Sequence, residues 1–152
     1  MTEVTRHFTA TTFVVCGDRV LLHRHAKQQI WLPPGGHIER DELPHHAAIR
    51  EIEEEAGLRL ALHSEGEAEA LSRAMDCLVV PQPAFILVED INPFHQHIDF
   101  VYFAQVPGDG DGPPVHPGFE WLAPHELHRE GVPQNVREGA RRAVEFFRRD
   151  AG

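Results

Sequence analysis

The chain has 152 residues, with 24 Asp and Glu against 14 Lys and Arg and a formal net charge of -10. That length suits one domain, residues 1–152, with a hydrophobic core of its own, and it is short for two. The charge excludes nucleic acid as the expected partner, since proteins held by phosphate backbones carry a basic face. A small anionic substrate stays compatible with it, because local cations or a bound metal outweigh a distant acidic surface that salt screens.

Two cysteines, Cys16 and Cys77, lie far apart in apolar stretches, which predicts buried free thiols rather than a disulfide framework or a zinc ribbon. Met1 to Ala10 has no charged start followed by an apolar segment, and no apolar run approaches the length of a bilayer span. A cytoplasmic protein without membrane association is expected.

In chain order, Phe8 to Cys16 is rich in Thr, Val and Phe, Gly17-Asp18 supplies a turn, and Val20-Leu21-Leu22 follows, which predicts a β-hairpin. After Pro33-Pro34-Gly35-Gly36, the segment Leu43 to Ala56 carries Leu43, Ala47, Ala48, Ile52 and Ala56 at helical spacing. Pro44 in its first turn and Gly57 just past its end mark it as a helix. Leu58 to Leu62, Cys77 to Val80, Phe85 to Val88 and His97 to Val106 have strand composition, whereas Ser64 to Ala74 fits a short helix or a loop. Pro107 to Pro117 is a Gly/Pro/Asp loop. A short strand over Phe119 to Leu122, a helical turn over Pro124 to Arg129 and an amphipathic helix over Gln134 to Arg149 complete the chain. Strands mixed with two main helices predict an α/β fold, a mixed sheet between helices.

The chemistry concentrates between Gly36 and Leu58. Glu42 and the run Arg50-Glu51-Ile52-Glu53-Glu54-Glu55-Ala56-Gly57 stand there at fixed intervals. On a regular helix, Glu51, Glu54 and Glu55 at i, i+3 and i+4 project their carboxylates from one face, opposite Ala48 and Ile52. Each like-charged pair at that spacing costs about 0.2–0.5 kcal/mol unless a cation sits among them. Oxygen donors of this kind favour Mg²⁺ or Mn²⁺. An isolated acidic run is ordinarily a solvated helix face. The surrounding pattern overturns that reading here.

The segment resembles the Nudix box. Gly36, Glu42, Arg50, Glu51, Glu54, Glu55 and Gly57 fill its fixed positions, and Ile52 and Leu58 its bulky aliphatic ones. At average residue usage, such a match arises by chance on the order of one time in a million. The resemblance continues through Trp31 to Glu39, with Pro34 added to the usual turn, and through His97 to Phe103, Glu120 to Leu122 and Glu126-Leu127. It implies the Nudix fold, Mg²⁺ with Mn²⁺ as substitute, and attack by water on phosphorus in a small-molecule phosphoanhydride. Glu51, Glu54 and Glu55 would ligate the metal, with Glu51 and Glu54 as catalytic carboxylates and Arg50 orienting them. Gly36 would let the loop approach the substrate phosphates, Gly57 would end the helix, and Glu42 would brace the loop onto the helix N-terminus.

Outside the box, the resemblance implies a further metal ligand or the base, for which Glu120, foremost as a metal ligand, and Asp99 are candidates, and Arg24 and Lys27 are candidate phosphate contacts. Against each stands a plainer role as an exposed charge or, for Asp99, a structural hydrogen-bond acceptor. Trp31, Phe94 and Trp121 are candidates to stack on a base, with core packing favoured for Trp121. The His-x-His pairs His23/His25 and His95/His97 each place two rings on one strand face, with no third ligand evident along the chain. Asp109 to Gly112 lacks the following bidentate Glu of a calcium loop. Arg137, Arg141, Arg142, Arg148 and Arg149 are expected to solvate the last helix or to meet an acidic neighbour in a homodimer.

The substrate class implied is a nucleoside diphosphate linked to another moiety, such as a nucleoside triphosphate, a nucleotide sugar or a dinucleotide. Its selection is expected from the loops at Ser64 to Ala74, Ile91 to Gln96 and Pro107 to Pro117. A Nudix-fold binding module that hydrolyses nothing would ordinarily have lost box glutamates, all of which stand here. An isoprenoid-diphosphate isomerase would need a cysteine near the site, which the apolar settings of Cys16 and Cys77 oppose.

Overall fold

The computed structural model describes residues 3–152. Met1 and Thr2, which open the expected domain and the stretch read as leaderless, lie outside them. The Thr- and Val-rich start forms β1 (Thr5–Cys16) and returns through Gly17-Asp18 into β2 (Arg19–Arg24), with Val15 opposite Val20. Two short strands follow, β3 (Trp31–Leu32) and β4 (Gly35–His37), and then helix α1 (Pro44–Glu51). Helix α2 (Glu65–Met75), strands β5 (Phe85–Asn92), β6 (His95–Gln105) and β7 (Phe119–Leu122), a 3-10 turn (Pro124–His128) and helix α3 (Gln134–Asp150) complete the fold.

The strands make one mixed sheet, ordered β3-β2-β1-β6-β5, with β4 paired to β1 and β7 to β2. β1 and β6 run parallel from Thr5 opposite His95 to Val15 opposite Gln105, and the remaining pairs are antiparallel. Along its other edge β1 hands over from β2, at Val15 and Cys16, to β4, at Thr9 to Thr11. At that handover the Thr12 N–H donates to the Pro34 carbonyl at 3.0 Å, which sets the Pro33-Pro34 link between β3 and β4 beside β1.

Strand alternation assigns the two faces. Phe13 and Val15 of β1, with Val20, Leu22, Val101 and Phe103, pack beneath Val136, Ala140, Val144 and Phe147 of α3. Ala10, Val14 and Cys16, with Leu21, Tyr102 and Ala104, pack beneath Ala47 and Ala48 of α1 and Ile52 just past its end. Each large apolar side chain buried this way contributes about 1.5–3 kcal/mol, which fixes α1 and α3 to opposite faces. Among the described residues no helix is long and apolar enough to cross a membrane.

Three strand or loop expectations differ from what folds. Leu58 to Leu62 is extended but joins no ladder: Leu58 and Leu62 are buried under the sheet, and pairing resumes only where the His63 N–H donates to the Phe103 carbonyl. Cys77 to Val80 is likewise no strand. The Cys77 N–H donates to the Ser72 carbonyl and the Val79 N–H to Ser72 Oγ, so the C-terminal turn of α2 satisfies this backbone in place of a neighbouring strand. Cys77 is exposed, contrary to the expected buried thiol, whereas Cys16 is buried. Ile91 to Gln96 is not an open loop but the tight β5–β6 hairpin with a register shift at Asp90 and Asn92. Ser64 to Ala74 resolves as helix α2. Pro107 to Pro117 is a loop as expected, held where the Trp121 indole donates to the Pro113 carbonyl at 2.9 Å.

Candidate active site

α1 does not continue as a regular helix to Ala56. After Glu51 the chain makes one π-helical turn, Ile52–Ala56, closed by Gly57 at φ +77°. That left-handed conformation is strained for any residue with a Cβ, and a Cβ there would also lie 2.5 Å from the His116 ring. Widened turns of this kind recur at functional sites, because they reset which side chains share a face. Here the three carboxylates are not equivalent, as equal helical spacing implied. Glu51 and Glu55 are 14% and 27% exposed, whereas Glu54 is 63% exposed and turns outward.

Arg50 ties the cluster together. Its Nε and Nη2 donate to the two oxygens of Glu42 at 2.8 and 2.9 Å, and its Nη1 donates to Glu51 Oε1 at 2.9 Å and to Glu54 Oε2 at 3.3 Å. Nη2 also donates to the His37 carbonyl at 3.1 Å, fixing β4 to the helix. Glu42 braces the loop through this guanidinium and by accepting from the Glu39 N–H at 3.1 Å, so a specific ion pair replaces the helix-terminus interaction anticipated for it. Hydrogen bonding to Arg50 holds the Glu42 carboxyl below the usual range.

Glu55 shows the opposite shift. Burial, then a hydrogen bond with Glu51 and the charges of Glu51 and Glu54, push its carboxyl up to about 8, against a hydrogen bond from the Gly35 backbone. Gly36 serves here by its missing side chain, since a Cβ would lie 2.5 Å from Glu51 Oε1. Crowded carboxyls backed by a glycine cradle are a donor set that fits a hard divalent cation.

Glu55, Gly35 and Gly36 line one wall of a cleft of about 410 Å³, a volume suited to a small molecule. The opposite wall comes from the α3 side of the sheet. Asp99, 5% exposed, forms part of it and accepts the hydroxyls of Thr9 and Thr11, each at 2.9 Å. Burial raises its carboxyl, and the geometry is that of a satisfied structural acceptor. Glu89 lies in the same wall, raised first by burial, then by Asp99, while the Asn135 amide donates to its Oε1 at 3.0 Å.

The structure does not bring every candidate into this cleft: Arg50, Glu51 and Glu54 stand behind Glu55 and Gly36 rather than in the lining, and the candidates outside the box lie farther off or pair elsewhere. Glu120 stands on β7 opposite Leu22, is not among the lining residues and faces Arg129 at 3.8 Å. Arg24 and Lys27 are exposed and outside it; alternation along β2 turns His23 and His25 to the cleft and Arg24 away. His23 Nε2 lies 3.8 Å from Glu55 Oε2, and burial, then His25, lowers the His23 ring, so it faces Glu55 as a neutral group. Trp31 is buried in the core with Arg129 stacked 5.7 Å from its ring centre, which removes it as a base-stacking surface. Trp121 packs against the core as expected, and Phe94 is exposed. Arg141, Arg142 and Arg149 pair with Glu138 and Glu145 of their own helix. Neither Cys16 nor Cys77 lines the cleft.

Glu89 was missed in the sequence although a signal existed: Phe85, Leu87 and Glu89 share the inward parity of β5, and an inward carboxylate on a strand marks a polar site.

Residues 5–147 match the NUDIX domain family, and the chain belongs to it. A NUDIX-family hydrolase from Clostridium perfringens is 34% identical, with 95% of this chain and 99% of that one aligned at a TM-score of 0.78. At the level of fold alone, a MutT protein from Methanosarcina mazei Go1 aligns over 100% of both chains at 19% identity and a TM-score of 0.65. The m7GpppN-mRNA hydrolase NUDT17 of Xenopus laevis is 47% identical over 47 residues, a match spanning 28% of this chain and 16% of that protein. Members of the family generally use divalent metal ions and act on small phosphate compounds.

Proposed function

We propose that this protein is a Mg²⁺-dependent pyrophosphohydrolase, with Mn²⁺ as substitute, that cleaves a phosphoanhydride bond in a nucleoside diphosphate linked to another moiety. It acts as one cytoplasmic domain over residues 1–152 on a small-molecule substrate, without nucleic acid or membrane as partner. The observation that carries this reading is the crowding of Glu51 and Glu55 against Gly35-Gly36, with Glu55 in the wall of the cleft and Arg50 spanning Glu42, Glu51 and Glu54.

Glu51, Glu54 and Glu55 would hold the ion, which supplies charge compensation for the diphosphate and its leaving phosphate and acidifies a bound water. Arg50 keeps Glu51 and Glu54 in one geometry by donating from Nη1 to both, while its Nε and Nη2 grip Glu42, limiting their motion as charge redistributes. Glu54, the most exposed of the three, has Oε2 engaged by Arg50 and offers Oε1 to take the proton of the attacking water. Gly36 lines the cleft, where its backbone would approach the substrate phosphates.

The test is release of phosphate or nucleotide from a panel of nucleoside triphosphates, nucleotide sugars and dinucleotides, with a cap dinucleotide included because of the Xenopus relative. Metal-dependent turnover in the wild type, lowered at least about a hundredfold in Glu54→Gln, is the expected result. Unchanged turnover in that variant would refute the site, and no turnover on the panel with either metal would leave a binding module. The same reading includes a homodimer. Phe8, Ile86 and Val88 are exposed on one sheet face beside half-buried Ile98 and Phe100, an apolar surface suited to a second copy. Light scattering at working concentration should give the mass of two chains; the mass of one would remove the dimer.

A further inference from the structure

Four histidines from three strands, His7, His37, His95 and His97, converge beside the cleft, which His37 and His97 line. The parallel register sets His7 of β1 directly opposite His97 of β6 and Thr5 opposite His95, while the antiparallel register sets His37 of β4 opposite Thr9. His7, His37 and His97 therefore occupy neighbouring positions on one sheet face, within reach of one another across the strands. One ring nitrogen from each of the three lies within 4.8 Å of the other two. The rings meet edge to face, with centroids 5.6 Å apart for His7 and His37 and 5.0 Å for His37 and His97.

Two further observations go beyond proximity. His97 Nε2 is buried and has no hydrogen-bond partner, although a buried polar nitrogen without one carries the full cost of its desolvation. His95 Nε2 lies 2.9 Å from His7 Nδ1, which fixes the His7 ring and leaves its Nε2 for another partner. A ligating histidine is typically held in this way, with its second nitrogen hydrogen-bonded to an outer group that sets tautomer and orientation.

We propose that His7, His37 and His97 form a binding site for a divalent transition ion, Zn²⁺ foremost, with His95 orienting His7. Imidazole nitrogens select Zn²⁺ and its neighbours over Mg²⁺, so this site and the carboxylate cluster take different ions. Tetrahedral Zn²⁺ at about 2.0–2.1 Å from each nitrogen needs ligand atoms roughly 3.4 Å apart. His7 and His37 are exposed and close that difference by side-chain rotation, while His97 is half-buried and already placed. Three protein ligands leave a fourth position open. His37 and His97 also line the cleft, which presents that position to whatever the cleft binds. The site does not depend on the hydrolytic reading, since none of its ligands belongs to the carboxylate cluster.

The experiment is calorimetric titration of untagged, chelator-treated full-length protein with ZnCl₂ in excess Mg²⁺, repeated with Co²⁺ followed by visible absorption. One Zn²⁺ per chain is expected, with Co²⁺ bands of four-coordinate intensity. His7→Ala and His97→Ala should each weaken Zn²⁺ by more than about a hundredfold, and His95→Ala by about 10–100-fold. Glu54→Gln should keep the Zn²⁺ site. His7 is exposed, so its variant is expected to fold, and circular dichroism melts of the metal-free proteins verify this. No saturable Zn²⁺ binding, or a site that survives His7→Ala and His97→Ala yet disappears in Glu54→Gln, would overturn the proposal.

Discussion

Mg²⁺ binding to the metal-free protein is expected to release a proton and to tighten about tenfold for each pH unit between 6 and 8. The group responsible is Glu55, whose carboxyl burial and Glu51 push up to about 8. At neutral pH it is largely protonated without metal, so a cation must displace that proton to gain the carboxylate. The same shift makes stability pH-dependent. Between an unfolded value of about 4.5 and the folded value of about 8, the folded chain holds a proton that the unfolded chain has lost. Stability of the metal-free protein therefore falls as pH rises through that window, and saturating Mg²⁺ should reverse the loss. Titrations in buffers of different ionisation enthalpy and melting temperatures across pH 5–9 read both effects. In Glu55→Gln, Mg²⁺ binding should weaken and its pH slope should flatten. A slope that persists in the variant would assign the proton elsewhere.

Arg50→Lys is expected to lower kcat/KM about a hundredfold while preserving the charge. The guanidinium makes two parallel bonds to Glu42 and further bonds to Glu51, Glu54 and the His37 carbonyl, contacts that one ammonium cannot reproduce. Displacements of about 1 Å in a reacting constellation cost on the order of a hundredfold in rate. Because Arg50 acts by positioning, the apparent Mg²⁺ affinity should fall with the rate, and Arg50→Ala should lose more than Arg50→Lys. If the lysine variant melts earlier but turns over at the wild-type rate at low temperature, Arg50 is a structural brace alone.

What was legible in the sequence was local. The box spans residues 36–58, and its charged side chains stand adjacent or one helical turn apart, so spacing alone brought Arg50, Glu51, Glu54 and Glu55 together. The hairpin, α1, α3 and the mixed sheet between helices were readable for the same reason, since periodicity and turn residues act over short stretches. Tertiary structure decided the rest. Composition marked Leu58 to Leu62 and Cys77 to Val80 as strands, but a strand exists only with a ladder partner, and none reached them. A π turn, invisible to average spacing, left Glu55 half-buried beside Glu51 and turned Glu54 outward. Two-residue alternation along β2 turned His23 inward and Arg24 away, and the β7 pairing set Glu120 against Arg129. The partners that His97 lacks along the chain lie elsewhere: strand register carries His37 and His7 to it across 60 and 90 residues of separation, which no local pattern encodes.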